Sequence, residues 1–221
     1  MDTIRMLALS DIHEHLQHLS ALQPELQAAD WVLLLGDLTQ FGHRTEAARV
    51  LEAFRAENPQ ILAVPGNLDY PDVAAYLEEE DVSLHRCWRV IGDIGLAGLG
   101  ASNRTPFGTP MELSESEIYE ALAPQVRAIA AARWRIVISH APPRDTAVDR
   151  IRSGGHVGSQ SVRRIVEEFK PHLLLCGHIH EARGEDVIGH TRILNPGPFA
   201  NGGFIRIEAG KDGIGAELRQ I

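Results

Sequence analysis

Only two cysteines, Cys87 and Cys176, occur in the 221 residues; they lie far apart, and the second sits inside an apolar run. That pattern excludes a disulfide framework and suits a reducing compartment. Basic residues are also the minority, 21 Lys and Arg against 30 Asp and Glu for a formal net charge of -9. Broad electrostatic attraction to long nucleic acid or to an anionic membrane is therefore not expected. No apolar run is long enough to span a bilayer, and the one in MDTIRMLALS is too short for a secretion signal and meets Asp11 and Glu14 at once. Repeats and low-complexity segments are missing as well. What is present, 44% hydrophobic and 23% charged residues, is enough for one domain over residues 1–221 with a substantial core. The expectation is a cytoplasmic protein.

The chain then reads as strand, polar loop and helix in repetition. Ile4 to Leu9 is a mostly apolar strand, broken by Ser10-Asp11-Ile12-His13, and Leu16, Leu19, Leu22 and Leu26 follow at helical spacing. Trp31 to Leu35 ends at Gly36-Asp37, with a helix expected over residues 45–57. Ile61 to Val64 ends at Gly66-Asn67-Leu68-Asp69, before a helix opened by Pro71 and Asp72. Three such units imply parallel strands covered on both faces. Short glycine-punctuated strands between Val82 and Ala101 begin a second sheet, and Asn103 to Pro110 is a loop. Ser114 and Glu117 form a capping box for a helix running to about Ala132. Trp134 to Ile138 ends at Ser139-His140. A loop from Ala141 to Gly158 carries Arg144, Arg150, Arg152 and His156, and Ser159 caps a helix to Phe169. After the turn Asn195-Pro196-Gly197-Pro198, strands over residues 203–208 and 214–218 are expected to close the second sheet.

The centre of this pattern is Leu173 to His180, LLLCGHIH, where a buried strand stops at Gly177 and two histidines flank one residue. Glycine lets the backbone pass close to whatever the histidines hold. In open α/β sheets, the loops beyond the carboxyl ends of parallel strands converge on one crevice. This chain places Asp11 and His13, Asp37, Asn67 and Asp69, His140, and His178 and His180 at successive strand ends. Each alone fits a cap or a turn. Together, carboxylate, amide and imidazole ligands after five intact apolar strands suit manganese, iron or zinc better than calcium, which prefers oxygen cages. The other histidines, His15, His18, His43, His85, His172 and His190, read as solvated or locally hydrogen-bonded.

These blocks, Asp11-x-His13, Gly36-Asp37, Gly66-Asn67-x-Asp69, His140 and Gly177-His178-x-His180, resemble in order the motifs of the calcineurin-like metallophosphoesterases, most closely the small prokaryotic phosphodiesterase branch. The resemblance implies a four-layer α/β/β/α sandwich of two mixed sheets flanked by helices. It also implies two divalent metal ions, manganese first with iron, zinc or nickel as alternatives. Asp11, His13 and His180 would hold one ion, Asn67, His140 and His178 the other, and Asp37 would bridge them. The implied reaction is hydrolysis of a small phosphate ester, a diester before a monoester, by a hydroxide held between ions roughly 3.5 to 4 Å apart. Asp69 would orient His13 or the attacking water, and Asn67 and Arg144 would contact the substrate, with Arg150, Arg152 and His156 as further loop contacts. A homo-oligomer stays open.

Two positions depart from the family pattern. The histidine that protonates the leaving group is replaced by Leu68, which leaves His15 and His156 as alternative acids. The acid often found soon after Gly-Asp is also missing, because Gly36-Asp37 is followed by Leu38-Thr39-Gln40. The rival readings are a non-catalytic scaffold of the same fold that binds a protein partner, and a nuclease or protein phosphatase.

Overall fold

Side chains alternate across a strand, so consecutive residues serve different interfaces. In the computed structural model, which describes residues 3–221, this parity separates the apolar residues into three buried layers. The first two residues of the single domain expected over residues 1–221 lie outside the described residues. Strand β1 (Ile4–Leu9) turns Leu7 and Leu9 toward helices α1 (Leu19–Ala28), α2 (Arg44–Arg55) and α3 (Pro71–Glu79). Its alternate residues, Met6 and Ala8, face a second sheet. Strands β2 (Trp31–Leu34) and β3 (Ile61–Ala63) extend β1 in parallel, as the strand-loop-helix repetition requires.

The second sheet contains β4 (Cys87–Ile91), β5 (Ile94–Leu99), β8 (Trp134–Ser139), β9 (Leu173–Leu175), β10 (Gly184–Ile188) and β11 (Thr191–Asn195), in the order β10-β11-β9-β8-β5-β4. A two-stranded pair, β6 (Ser102–Asn103) and β7 (Glu112–Leu113), brackets the loop between them. Within the six-stranded sheet, β5, β8, β9 and β11 are parallel. Ile136, Ile138, Leu173 and Leu175 meet Met6, Ala8, Leu33 and Leu35 between the sheets. Val137 and Leu174 turn outward onto α4 (Glu115–Ala128) and α5 (Gln160–Phe169), where Leu122 and Ile165 are fully buried. The result is the expected four-layer sandwich. The capping box is also in place: Glu117 N–H donates to Ser114 Oγ at 3.3 Å, and Ser114 N–H donates to Glu117 Oε2 at 2.7 Å. Among the described residues no helix is long and apolar enough to cross a membrane.

One topological expectation is corrected. Strands β12 (Gly203–Ala209) and β13 (Ile214–Gln220) do not close the second sheet; β12 pairs antiparallel with β1, so both belong to the first. The second sheet is closed instead by β10 and β11, a hairpin in a stretch from which no strand was expected. The reason is physical. Phe204 faces the helices while Ile205 and Ile207 face the other sheet, a two-sided burial that either sheet would satisfy. Smaller differences are that α4 stops at Ala128 and α2 at Arg55.

Half-buried His85, beside the edge of the second sheet, accepts a 3.0 Å hydrogen bond at Nδ1 from the Gly100 N–H. Burial, helped by the charge of Arg86, pushes its imidazole down to about 4. A neutral folded-state histidine supports stability at pH values above its unfolded pKa near 6.5, and that support is lost as pH falls from about 6.5 toward 4. The expected slope is about 1.4 kcal/mol per pH unit within that window. His85→Asn keeps an acceptor for Gly100 but cannot titrate. Urea denaturation at pH 7 and pH 5 should therefore find the wild type losing more stability on acidification than the variant; equal losses would contradict the buried neutral state.

Candidate metal centre

The loops beyond β1, β2, β3, β8 and β9 meet at the carboxyl ends of both sheets, and main-chain bonds fix their mutual positions. Asp11 N–H donates to Gly36 O and His13 N–H to Asp37 O, both at 3.0 Å. Gly177 N–H donates to His140 O at 3.0 Å, and His178 N–H to Asp11 Oδ2 at 3.1 Å. The turns are tight enough that Asp11, His13, Asp37 and His178 all take positive φ, between 46° and 67°. Left-handed backbone at a non-glycine residue costs roughly 1–2 kcal/mol and persists only where the surroundings enforce it. Glycine is needed where loops nearly touch. A Cβ on Gly66 would lie 1.9 Å from Asp37 Oδ1, and one on Gly177 would lie 1.7 Å from Ser10 Oγ, as the close approach expected at Gly177 demands.

Two groups of acidic and histidine side chains have ligand atoms lying within 4.8 Å of one another: Asp11, His13 and His180, and Asp11, Asp37 and His140. His13 Nε2 is 3.1 Å from His180 Nε2, 4.0 Å from Asp11 Oδ1 and 3.9 Å from Asp37 Oδ2. His180 Nε2 is 3.3 Å from Asp11 Oδ1. His140 Nε2 is 3.1 Å from Asn67 Oδ1 and 3.5 Å from Asp37 Oδ2. Asp37 thus faces histidines of both groups, and Asn67 joins the second through its amide oxygen. The His178 ring lies beside that of His140, with centroids 5.2 Å apart.

The tautomers give this convergence its meaning. A carbonyl oxygen only accepts hydrogen bonds. His13 Nδ1 lies 3.2 Å from Thr39 O, and His140 Nδ1 lies 2.9 Å from Leu35 O. Both rings must donate there, so in their neutral forms both Nε2 atoms turn a lone pair into a cluster of carboxylate and amide oxygens. Acceptors facing acceptors in a buried site demand positive charge. The same demand is visible in the ionisation. Burial opposes charge on His140, but the Asp37 carboxylate, with Asp11 and the Leu35 carbonyl, pushes its imidazole up to about 9. Burial would raise the Asp11 carboxyl, yet the His180 hydrogen bond and the charges of His140, His180 and His13 hold it well below the usual carboxylate range. His178 is pushed down to about 4, by burial first and by the charge of His140 second. This donor set, mixed in carboxylate, imidazole and amide, fits borderline divalent cations.

Asp69, expected to orient His13 or the attacking water, reaches His13 only at one remove. Its Oδ1 accepts from Thr39 N–H at 2.9 Å and Thr39 Oγ1 at 2.7 Å, and its Oδ2 from Leu38 N–H at 3.1 Å and Gly66 N–H at 2.7 Å. With its lone pairs taken, Asp69 does not touch His13. Its influence runs through Thr39, whose carbonyl holds the His13 ring, so Leu38-Thr39 occupies the place where the family pattern often has an acid. Asn67 Nδ2 donates to Thr109 Oγ1 at 3.0 Å, and Thr109 Oγ1 donates to Glu112 Oε1 at 2.7 Å. Asn195 Nδ2 donates to Ile179 O at 3.0 Å. None of Thr39, Thr109, Glu112 or Asn195 was singled out as a site residue. Only Asn195 had a signal, its Asn-Pro-Gly turn.

Of the long-loop residues, His156 and Arg144 line a cleft beside the cluster together with Asp37, Asn67, Leu68 and His178. His156 Nδ1 is 2.6 Å from Oδ1 of fully buried Asp149. Arg152 lines a second cleft, which also contains His15. Arg150 is exposed. Of the histidines read as solvated or locally hydrogen-bonded, His18, His43, His172 and His190 do have hydrogen-bond partners, but ones 182, 29, 37 and 20 positions away along the chain.

A four-layer α/β/β/α sandwich with carboxylate, amide and imidazole acceptors gathered at its strand ends defines a metal-dependent phosphoesterase. The profile of the calcineurin-like phosphoesterases matches residues 4–182. The chain is 36% identical over 199 residues to the uncharacterized protein MJ1162 of Methanocaldococcus jannaschii, with 88% of each covered. Its fold is similar to TT1561 of Thermus thermophilus, with a TM-score of 0.72, 18% identity and 99% of each chain covered. It is also similar to a dimetal phosphatase from Danio rerio, with a TM-score of 0.58, 10% identity and 98% of each chain covered. The chain belongs to the calcineurin-like phosphoesterase family.

Asp69 provides a direct test of how the loops are braced. Asp69→Ala would strand three buried main-chain N–H groups, each worth about 1–3 kcal/mol when left unmade. The expected loss is about 3 kcal/mol or more in urea denaturation. A loss below about 1 kcal/mol would mean that the loops hold their positions without it.

Proposed function

We propose that the protein hydrolyses phosphodiesters with two divalent cations, manganese first among the fitting ions. Asp11, His13 and His180 would hold one and Asn67, His140 and His178 the other, with Asp37, which faces histidines of both groups, available to both. The observation that carries this reading is the convergence of imidazole lone pairs on carboxylate and amide oxygens. When bound, the cations supply Lewis-acid charge to the phosphoryl oxygens. The remaining tasks belong to side chains. The Asn67 amide, oriented by Thr109, and the Arg144 guanidinium bind and align the phosphate. Leu68 walls the cleft and excludes water, but it has no proton to give. His156 fills that role. Nδ1–H donates to Asp149, so Nε2 points away from it; as the imidazolium, the ring passes its Nε2 proton to the departing ester oxygen and is left neutral, with its remaining proton on Nδ1. The chain's acidic balance, 30 Asp and Glu against 21 Lys and Arg, favours a small substrate over long nucleic acid.

The metal assignment is tested by composition. Wild-type protein should carry two ions per chain by elemental analysis, and Asp37→Ala should lose most of both. Retention of two ions by the variant would overturn the bridging role. Chelation should abolish activity but leave the far-ultraviolet circular dichroism intact, because the three apolar layers do not depend on the ions.

The acid is tested by leaving group. A positioned general acid is worth about 10²- to 10⁴-fold where the leaving oxygen is basic. His156→Asn should therefore slow cleavage of dialkyl phosphates far more than cleavage of bis(p-nitrophenyl) phosphate. Asp149→Asn should give a weaker version of the same bias, and Leu68→His in the His156→Asn background should partly restore alkyl turnover. Equal slowing of both substrates by His156→Asn would assign His156 a purely structural role.

A further inference from the structure

Two clefts flank the cluster, and they differ in chemistry. One, of about 780 Å³, is walled by Leu68, Phe41, Phe107, Ile151 and Val157. The chain has only six phenylalanines. Two of them are exposed, Phe41 at 50% and Phe107 at 84%, and both border this cleft. Exposed aromatic surface grouped beside polar catalytic groups marks a ligand site rather than ordinary protein surface. Phe107 is also held in place. Its N–H donates to Thr105 Oγ1 at 3.1 Å, Thr105 Oγ1 donates to Glu112 Oε1 at 2.6 Å, and the same Glu112 oxygen accepts from Thr109 N–H at 2.8 Å. Thr109 in turn accepts from Asn67. One hydrogen-bond chain therefore fixes the main chain at Phe107 relative to the Asn67 amide.

The other cleft, of about 650 Å³, contains His15, Gln40, Arg152 and Asn201. Arg152 is paired with Glu181, at 3.3 Å from Nε to Oε2, so the net charge of that pair is neutral. The amides of Gln40 and Asn201 can both donate and accept, which matches hydroxyl groups rather than an ion. The two clefts share a ridge made of Ile151, Ile179, Glu181, His178 and His180. Two of these five, His178 and His180, belong to the cluster. A phosphate seated against those histidines would send its two ester substituents down opposite sides of the ridge.

We infer that the substrate is an unsymmetrical phosphodiester, with one aromatic or flat apolar substituent packed on Phe107, Phe41 and Leu68 and one neutral, hydroxyl-bearing substituent in the Gln40 and Asn201 cleft. The inference rests on the phosphodiesterase reading above. A monoester would fill one side only. Hydrolysis adds the oxygen of water to phosphorus, breaks one P–O ester bond and delivers a proton to the departing oxygen, which gives one monoester and one alcohol.

The test uses manganese-loaded full-length protein and four esters: p-nitrophenyl glyceryl phosphate, bis(p-nitrophenyl) phosphate, diglyceryl phosphate and the monoester p-nitrophenyl phosphate. The unsymmetrical diester should have the highest kcat/KM. Binding is read separately by calorimetric titration with phosphinates, whose two substituents are both joined through P–C bonds and cannot be hydrolysed off: phenyl(2,3-dihydroxypropyl)phosphinate, against diphenylphosphinate and methyl(2,3-dihydroxypropyl)phosphinate. Phe107→Ala should weaken binding of the phenyl dihydroxypropyl analogue about tenfold relative to the methyl dihydroxypropyl one. Gln40→Ala should weaken it by a comparable factor relative to the diphenyl one. If no ester is cleaved and no phosphinate binds, the phosphodiesterase reading falls and takes the inference with it. Turnover of the monoester alone would overturn the diester preference and the inference, but not the family activity. If diesters are cleaved and the mixed analogue binds no more tightly than the other two, the inference alone is overturned.

Discussion

The structure depends on hydrogen-bond acceptors being made to face one another. The carbonyls of Thr39 and Leu35 take the Nδ1 protons of His13 and His140, and each Nε2 is left pointing at Asp11, Asp37 or Asn67. A protein interior tolerates such a cluster only if something positive resolves it, because unpaired buried acceptors and charges are expensive. In the protein alone, protons play that part, and His140 is pushed up to about 9 in spite of its burial. Divalent cations would resolve the same conflict with more charge and without protonating the imidazoles.

That arrangement has a conformational cost, borne by the backbone. Four of the seven proposed ligands adopt positive φ, and side chains that turn this sharply would relax if the loops were free. They are not free. Asp69 ties the loop after β2 to the loop after β3 with three hydrogen bonds and closes its own loop with a fourth, from Gly66, and Asp11 receives the main-chain N–H of His178 from the far sheet. The two packed sheets act as the rigid frame against which this strain is held. Their shared interface of Leu, Ile, Val and Ala fixes which strand ends meet.

The surroundings of the cluster bear on the leaving group that a chain without the usual histidine at position 68 would have to manage. Leu68 belongs to an apolar wall, and His156, on the loop after β8, lines the same cleft with Asp149 as its anchor. An imidazole held by a buried carboxylate has a fixed direction. In the proposed reaction, one position would trade a proton donor for shape and another would supply the proton.

The sequence by itself determined the order of most strands and helices, the hairpin of β10 and β11 excepted, the caps of α4 and α5, and the residues at the strand ends. These features are local: periodicity, capping chemistry and turn residues act within a few positions of the chain. Asp11, His13, Asp37, Asn67, His140, His178 and His180 were legible because each follows an apolar strand, and parallel strands send their ends to one crevice. Only the tertiary structure decided that β12 and β13 join β1, since strands buried on both faces carry no mark of their partner. It alone settled that Asp69 braces loops rather than touching His13, and that Asp149 anchors His156. It also placed Phe107, Thr109 and Glu112 beside Asn67, residues more than thirty positions apart in sequence whose relation exists only as hydrogen bonds and contacts across the fold.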